Sequence, residues 1–266
     1  MKVITVANQK GGVGKTTSSA SLAGLLAQQS EKTLLIDLDP HGSLTSYFGF
    51  DPDKIEESVF SLFDRKIKNS RVPLASLLQH TSVDCLDLLP ASRALLSLER
   101  QSIRNGMGLI IHDAILSYSS HYQYVLIDCP PTMGILLLNA LAACDHLVIP
   151  VQTEFLAIKG LERMLNTLDM VKHSTKEDLS YTIVPTMYDQ RTNASRKSLD
   201  QLQQEFNYNL WGQYIPVDTN FREASKLGKP LCSINALSHG NQAYLRLLQH
   251  LLEKLSQTEV PFSKSA

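Results

Sequence analysis

Hydrophobic and polar positions along the chain alternate between two rhythms. Short runs rich in β-branched and other apolar residues, at 3–7, 33–38, 85–89, 124–128, 147–151, 181–186 and 210–215, read as strands. Between them, apolar residues recur every three or four positions over 16–28, 55–64, 92–104, 109–119, 134–143, 158–173, 195–206 and 241–255, which predicts helices. Strand and helix in alternation is the order of βαβ units. The expected fold class is therefore α/β: three layers, α/β/α, around a mostly parallel twisted sheet. Several of the strand runs are apolar almost without interruption, as strands covered by helices on both faces must be.

The last predicted helix carries Leu245, Leu248, Leu252 and Leu255 as one stripe. Its other face mixes Arg246, Glu253 and Lys254, a pattern that suits docking on a core better than lying on an anionic membrane. No repeat, low-complexity tract or linker interrupts the chain, so 1–257 is expected to form a single domain and 258–266, "TEVPFSKSA", a flexible tail. The most apolar segment, 133–151, contains Asn139, Asp145, His146 and Pro150 and does not read as a membrane span.

Charge alters the picture little. The formal net charge of -1 leaves no global basic footprint, so any contact with nucleic acid must come from a local patch. The four cysteines, Cys85, Cys129, Cys144 and Cys232, are far apart and lack metal-ligand spacing; reduced thiols in a cytoplasmic protein are expected.

Chemistry concentrates in "ANQKGGVGKTT", Ala7 to Thr17. A predicted strand ends at its start and a predicted helix opens at its close, the context of a P-loop. Gly11, Gly12 and Gly14 permit positive φ and bring backbone N–H groups toward phosphate oxygens, with Val13 between them and Thr17 in the helix's first turn. Lys15 is placed to neutralise β and γ phosphates and the Thr16 hydroxyl to ligate Mg²⁺. Two features are irregular: Gln9 stands where G-x-x-x-x-G-K-[ST] has its first glycine, and a second lysine, Lys10, adjoins it.

Two further strands deliver carboxylates. "LLIDLDPHG" places Asp37 and Asp39 at a strand's carboxyl edge, and "YVLIDCPPT" does the same for Asp128, in the manner of a Walker B strand. Asp128 and Thr16 form a candidate metal set, and the carboxylates of Asp37 and Asp39 can orient a water or a hydrated metal ion.

These segments, together with "NALAACDHLVIPVQTEFLAIKGL", "TMYDQRT" and more weakly "IPVDTNFREASKLGKPL", resemble the ParA/MinD family of deviant Walker A ATPases, within it the ParA/Soj branch. The resemblance runs from the N-terminus to about residue 231. It implies a P-loop NTPase fold, ATP and Mg²⁺ as cofactors, and a homodimer sandwiching ATP. Lys10 would reach the phosphates of the other subunit, Gly11 would lie where the two loops approach, Asp39 would position the attacking water, and Asp37 would lie near the metal's hydration shell. Met187 and Pro216 would wall the adenine. The implied catalytic set is Lys10, Lys15 and Asp39.

By the same resemblance the ATP-bound dimer grips DNA non-specifically and a ParB-like partner or chemotaxis-array adaptor stimulates hydrolysis. Arg191 matches a family position of DNA contact, and Arg196, Lys197, Arg222 and Lys226, with Lys229, are candidate additions. The chain departs from the family at "IPVDTN", where "IPRNVR" is common, so Val217 and Asn220 replace basic residues. That departure and the neutral charge favour the branch that positions protein assemblies, as ParC-type relatives position polar chemotaxis arrays. Chromosome or plasmid partition is the alternative. A MinD-like membrane-associated regulator would need a basic amphipathic tail, and a nitrogenase-iron-protein-like carrier would need paired cysteines. A cytoplasmic protein, nucleoid-associated or polar and without stable membrane binding, is the expectation.

Overall fold

The computed structural model describes residues 1–68, 73–99, 107–175 and 178–257. Among the described residues, seven strands form one sheet: β1 (Lys2–Val6), β2 (Thr33–Asp37), β3 (Gln79–His80), β4 (Leu86–Leu89), β5 (Tyr124–Asp128), β6 (His146–Gln152) and β7 (Tyr181–Thr186). Their spatial order is β3-β4-β2-β5-β1-β6-β7, parallel except for the two-residue edge strand β3. The helices are α1 (Lys15–Gln28), α2 (Ser43–Tyr47), α3 (Val59–Ile67), α4 (Leu96–Glu99), α5 (Ile110–Leu116), α6 (Ile135–Ala142), α7 (Phe155–Thr175), α8 (Asn193–Glu205), α9 (Asn220–Leu227) and α10 (His239–Gln257).

The three-layer reading holds, and strand periodicity explains it. Side chains alternate across a strand. Ile4, Val6, Leu35, Leu126 and Val148 enter one apolar cluster with α1 and α10, whereas Val3, Leu34, Ile36, Val125, Ile127, Leu147 and Ile149 enter the other with α3, α5, α6 and α7. Both faces of each central strand are thus buried, which is why their sequences read as unbroken apolar runs.

Three expectations change. The strand expected at 210–215 does not form: Trp211 N donates to Ile183 O and Ile215 N to Pro185 O, both at 2.8 Å, but Gly212 and the polar residues after it interrupt the pairing, which leaves isolated bridges, Ile183 to Leu210 and Tyr188 to Pro216. The helix expected at 55–64 begins later, at Val59, where Ser58 caps it by accepting from Phe60 N at 3.3 Å. The helix expected at 92–104 opens as a 3-10 turn at Arg93–Leu95 before α4; its remainder from 100 lies outside the described residues, as does the expected tail 258–266.

The topology places the site. β5 lies between β1 and β2, and their ends are level: Val6 pairs with Asp128, and Asp37 with Asp128. The loop after β1 and the carboxylates closing β2 and β5 therefore share one edge, the carboxyl edge where open α/β sheets hold ligands.

Candidate functional site

The loop between β1 and α1 is built from a few anchored points. Ala7 N donates to Val148 O at 3.1 Å, and buried Asn8 donates through Nδ2 to Pro150 O at 2.9 Å. Thr186 Oγ1, at the end of β7, donates to Val13 O at 2.8 Å and ties the loop's far side to the sheet. Gly12 (φ 75°) and Gly14 (φ 91°) occupy the left-handed region, which favours glycine. Gly14 is also the residue from which α1 starts, so the helix's free N–H groups open directly onto the loop. A Cβ at Gly11 would meet no atom within 4 Å, and Gly11 has no positive φ, so nothing within this subunit demands glycine there.

The two lysines part company. Lys15 is buried and its Nζ donates to Lys10 O at 3.1 Å, inside the loop. Burial lowers the pKa of its ammonium, with Asp128 and then Asp39 opposing the fall. Lys10 instead sends its partly exposed side chain out of the loop, to a 3.6 Å contact with Glu154 Oε1.

Thr16 Oγ1 donates to Asp128 Oδ2 at 2.7 Å, and Ser19 Oγ donates to Asp128 Oδ1 at 3.1 Å. Asp37 accepts from Asp39 N at 3.0 Å, Thr45 N at 2.8 Å and Thr45 Oγ1 at 2.7 Å. Both carboxylates are fully buried. Desolvation first, and then the charge of Asp128, push Asp37 up to about 8; desolvation likewise pushes Asp128 up to about 7 against the bond from Thr16 and the charge of Lys15. Two level, buried carboxylates beside a hydroxyl-bearing helix start are held at a cost that a cation would relieve, so the residues present fit a hard divalent metal ion. Asp39 lies on the same edge and accepts from His41 N at 2.9 Å through Oδ1, which also faces His41 Nδ1 at 2.8 Å.

Met187 and Pro216 lie on adjoining segments, with Tyr188 bridged to Pro216. Met187, at φ 53°, turns its Cε to within 3.9 Å of where a Cβ on Gly14 would lie, so it borders the loop. Pro216 lines a neighbouring cavity of about 1150 Å³ with Tyr188, Arg191, Tyr214, Asn220 and Arg246. The two segments are stitched together, since Tyr188 N donates to Ile215 O and Val217 N to Tyr188 O, both at 3.0 Å.

The basic candidates are exposed but scattered. Arg191 grips Asp189 with two bonds, Nε to Oδ1 at 2.9 Å and Nη2 to Oδ2 at 2.8 Å, and this guanidinium holds the Asp189 carboxyl down at about 2. Arg196 bonds Asn193 on α8 beside exposed Lys197; Arg222 and Lys226 stand one turn apart on α9, which the sequence pattern had not suggested as a helix. Among residues missed by sequence reasoning, Ser19 had a signal: it lies three positions after Thr16 on one helix face. Thr45 and Thr186 had none, because their partners come from remote parts of the chain.

Comparisons with known proteins agree with this geometry. A family model described as an AAA domain matches residues 1–181. The chain is similar to the chromosome partitioning protein ParA of Myxococcus xanthus, 34% identical over 255 residues, covering 95% of this chain and 88% of that protein. It is similar to the sporulation initiation inhibitor protein Soj of Bacillus subtilis, 34% identical over 252 residues, covering 94% of this chain and 98% of that one. Among solved structures it resembles a cobyrinic acid a,c-diamide synthase of Mycobacterium smegmatis with bound ADP and magnesium, at 33% identity and a TM-score of 0.82, covering 97% of this chain and 96% of that one.

Proposed function

The chain belongs to the ParA/MinD family of P-loop ATPases, and on that premise we propose that it is a Mg²⁺-dependent ATPase whose ATP-bound homodimer is a spatial switch for intracellular cargo. The observation that carries the reading is the 2.7 Å bond from Thr16 to Asp128, which joins the loop's helix start to the carboxylate of β5. A phosphate-bearing loop and a carboxylate edge thereby become one site.

In this reading the backbone amides of Gly11 to Gly14 and the α1 N-terminus bind the phosphates of ATP, and Lys15 neutralises their charge. Thr16 and Asp128 would hold magnesium, with Asp37 close by, and the ion would supply neutralisation of the phosphate charge. Asp39 orients the attacking water. Lys10, whose tip already leaves its own loop, acts on the ATP of the second subunit as an arginine finger does. Hydrolysis is then conditional on dimerisation, which makes slow turnover a timer.

For the cargo, the name of the Myxococcus xanthus relative weighs toward chromosome partition, with a DNA-bound dimer and a ParB-like stimulating partner. The altered Val217 and Asn220 support the alternative, an adaptor of a protein array such as a polar chemotaxis cluster.

The test is light scattering with and without ATP. The wild type is expected to be monomeric without nucleotide and dimeric with it. Gly11→Val is expected to bind ATP and stay monomeric, since the open space at Gly11 lets the variant fold. An ATP-dependent Gly11→Val dimer would show that the loops do not meet face to face.

A further inference from the structure

The root of Lys10 is clamped while its tip is loose, and α7 completes a clamp that the loop begins. Lys10 N donates to Asn8 Oδ1 at 2.9 Å, and Lys10 O accepts from Lys15 Nζ at 3.1 Å. Gln9, the residue in place of the usual first glycine, donates through Nε2 to Thr167 Oγ1 at 2.6 Å. Thr167 is buried and its hydroxyl donates to Arg163 O at 3.1 Å, so its oxygen is oriented to accept from Gln9. Two turns earlier on the same helix, Gly160 lies so near that a Cβ added there would be 2.8 Å from Lys10 Cβ and 3.6 Å from Asn8 Oδ1. Among the described residues, the ion pair that the side chain beyond that root makes is the 3.6 Å contact with Glu154, between partly exposed groups, a contact of the kind that holds weakly.

We propose that α7 is the platform that aims Lys10, with Thr167 and Gly160 as positioning residues: Thr167 fixes the loop through Gln9, and Gly160 supplies the gap that sets where Lys10 leaves the loop. The proposal rests on Lys10 acting across the dimer. A rigid root matters because a lysine that must meet phosphates on another subunit is only as well placed as its backbone, and misplacement by about 1 Å costs on the order of a hundredfold in rate. Gln9 at the first-glycine position follows from the same need. A glycine has no side chain to reach α7, so a loop that steers the following lysine uses a long amide in its place.

The consequence is a defect in Lys10's work with ATP binding intact. Thr167→Val keeps the shape and removes the acceptor, and is expected to lower ATP turnover by about two- to tenfold, the equivalent of one hydrogen bond. Gly160→Ala pushes on the Lys10 root and is expected to lower turnover by about tenfold or more. In both, the Kd for ATP measured by a fluorescent analogue should stay within about twofold of wild type, since Lys15 and the α1 N-terminus are untouched. Thr167→Ser, which restores the hydroxyl, should recover most of the rate.

The decisive measurement is turnover of each variant with and without Lys10→Ala. If α7 acts through Lys10, Thr167→Val adds nothing further once Lys10 is gone. If Thr167→Val turns over ATP like the wild type, or its defect is just as large in the Lys10→Ala background, the platform is wrong. Should Gly160→Ala fail to fold, the Thr167→Val and Thr167→Ser pair decides alone. A Lys10→Ala protein as active as wild type would overturn the cross-subunit lysine itself, and the platform with it; an inactive Lys10→Ala beside a normal Thr167→Val would overturn the platform only.

Discussion

At the scale of single residues, the expensive groups in this molecule are Asp37 and Asp128, and their cost has a pH signature. Both have folded pKa values raised from an ordinary 3.8, to about 8 and about 7. Between about pH 4 and pH 8 the folded protein therefore holds protons that the unfolded chain has released, so the unfolded state binds fewer protons and stability falls as pH rises across that window. Nucleotide-free protein in chelator is expected to melt at progressively lower temperature from pH 5 to pH 8, and Mg²⁺ with ATP should restore the loss at pH 8. Asp128→Asn should flatten the decline, because it removes one buried charge and the repulsion on Asp37, while the Thr16 and Ser19 hydroxyls can turn to suit the amide. Scanning calorimetry across pH would count against Asp128 as a source of the decline if the wild-type and Asp128→Asn curves ran parallel. The carboxylates were legible in the sequence because each closes an apolar strand run. Their burial and mutual register were not, since Asp37 and Asp128 lie far apart in the chain and meet only through β2–β5 pairing.

At the scale of elements, legibility followed period and length. β1, β2, β5, β6 and β7 were readable because a strand buried on both faces can be little else, and α10 was readable from its leucine stripe. The five-residue α2 and eight-residue α9 were not, because so few turns leave no period to detect. The segment 210–215 misled because Leu210, Trp211 and Ile215 are apolar for another reason: Trp211 and Ile215 pack into the cluster under α10 without joining a ladder. The same cluster shows how a remote element steadies the site. Tyr244 of α10 is buried, meets Phe221 edge-on at 5.6 Å between centroids, and pairs its hydroxyl with Ser18 at 2.8 Å. Ser18 closes the first turn of α1 by donating its N–H to Gly14 O at 2.9 Å. Tyr244→Phe keeps the ring and leaves the Ser18 hydroxyl buried without that partner. It is expected to cost about 1–3 kcal/mol of stability in chemical denaturation, and the Tyr244→Phe, Ser18→Ala double variant to recover part of that loss. A loss that the double variant deepens would mean that the hydroxyl pair does not bridge α1 and α10.

At the scale of the whole molecule, the question is whether a chain of net charge -1 can grip DNA as a partition ATPase does. Phosphate contacts need unspent positive charge on one face. Arg191 is largely neutralised in place: Asp189 takes one edge of its guanidinium, through Nε and Nη2, so a phosphate must share the cation with a carboxylate. Arg222 and Lys226, exposed on α9, and Lys197 on α8 are better placed to contribute, and each dimer doubles the set. Few contacts per subunit imply a shallow dependence on salt, since the slope of log K against log salt is about 0.9 per phosphate neutralised. The ATP-bound wild type is therefore expected to bind plain duplex DNA weakly, and Asp189→Asn to bind it more tightly with a steeper slope, because the substitution releases Arg191. Arg191→Ala should then abolish the gain when combined with Asp189→Asn while changing the wild type little. Fluorescence anisotropy over a salt series separates the cargo readings. Tight, steeply salt-dependent binding by the wild type places the protein with DNA partition, and binding that no change at Asp189 or Arg191 moves leaves the dimer's cargo to a protein adaptor.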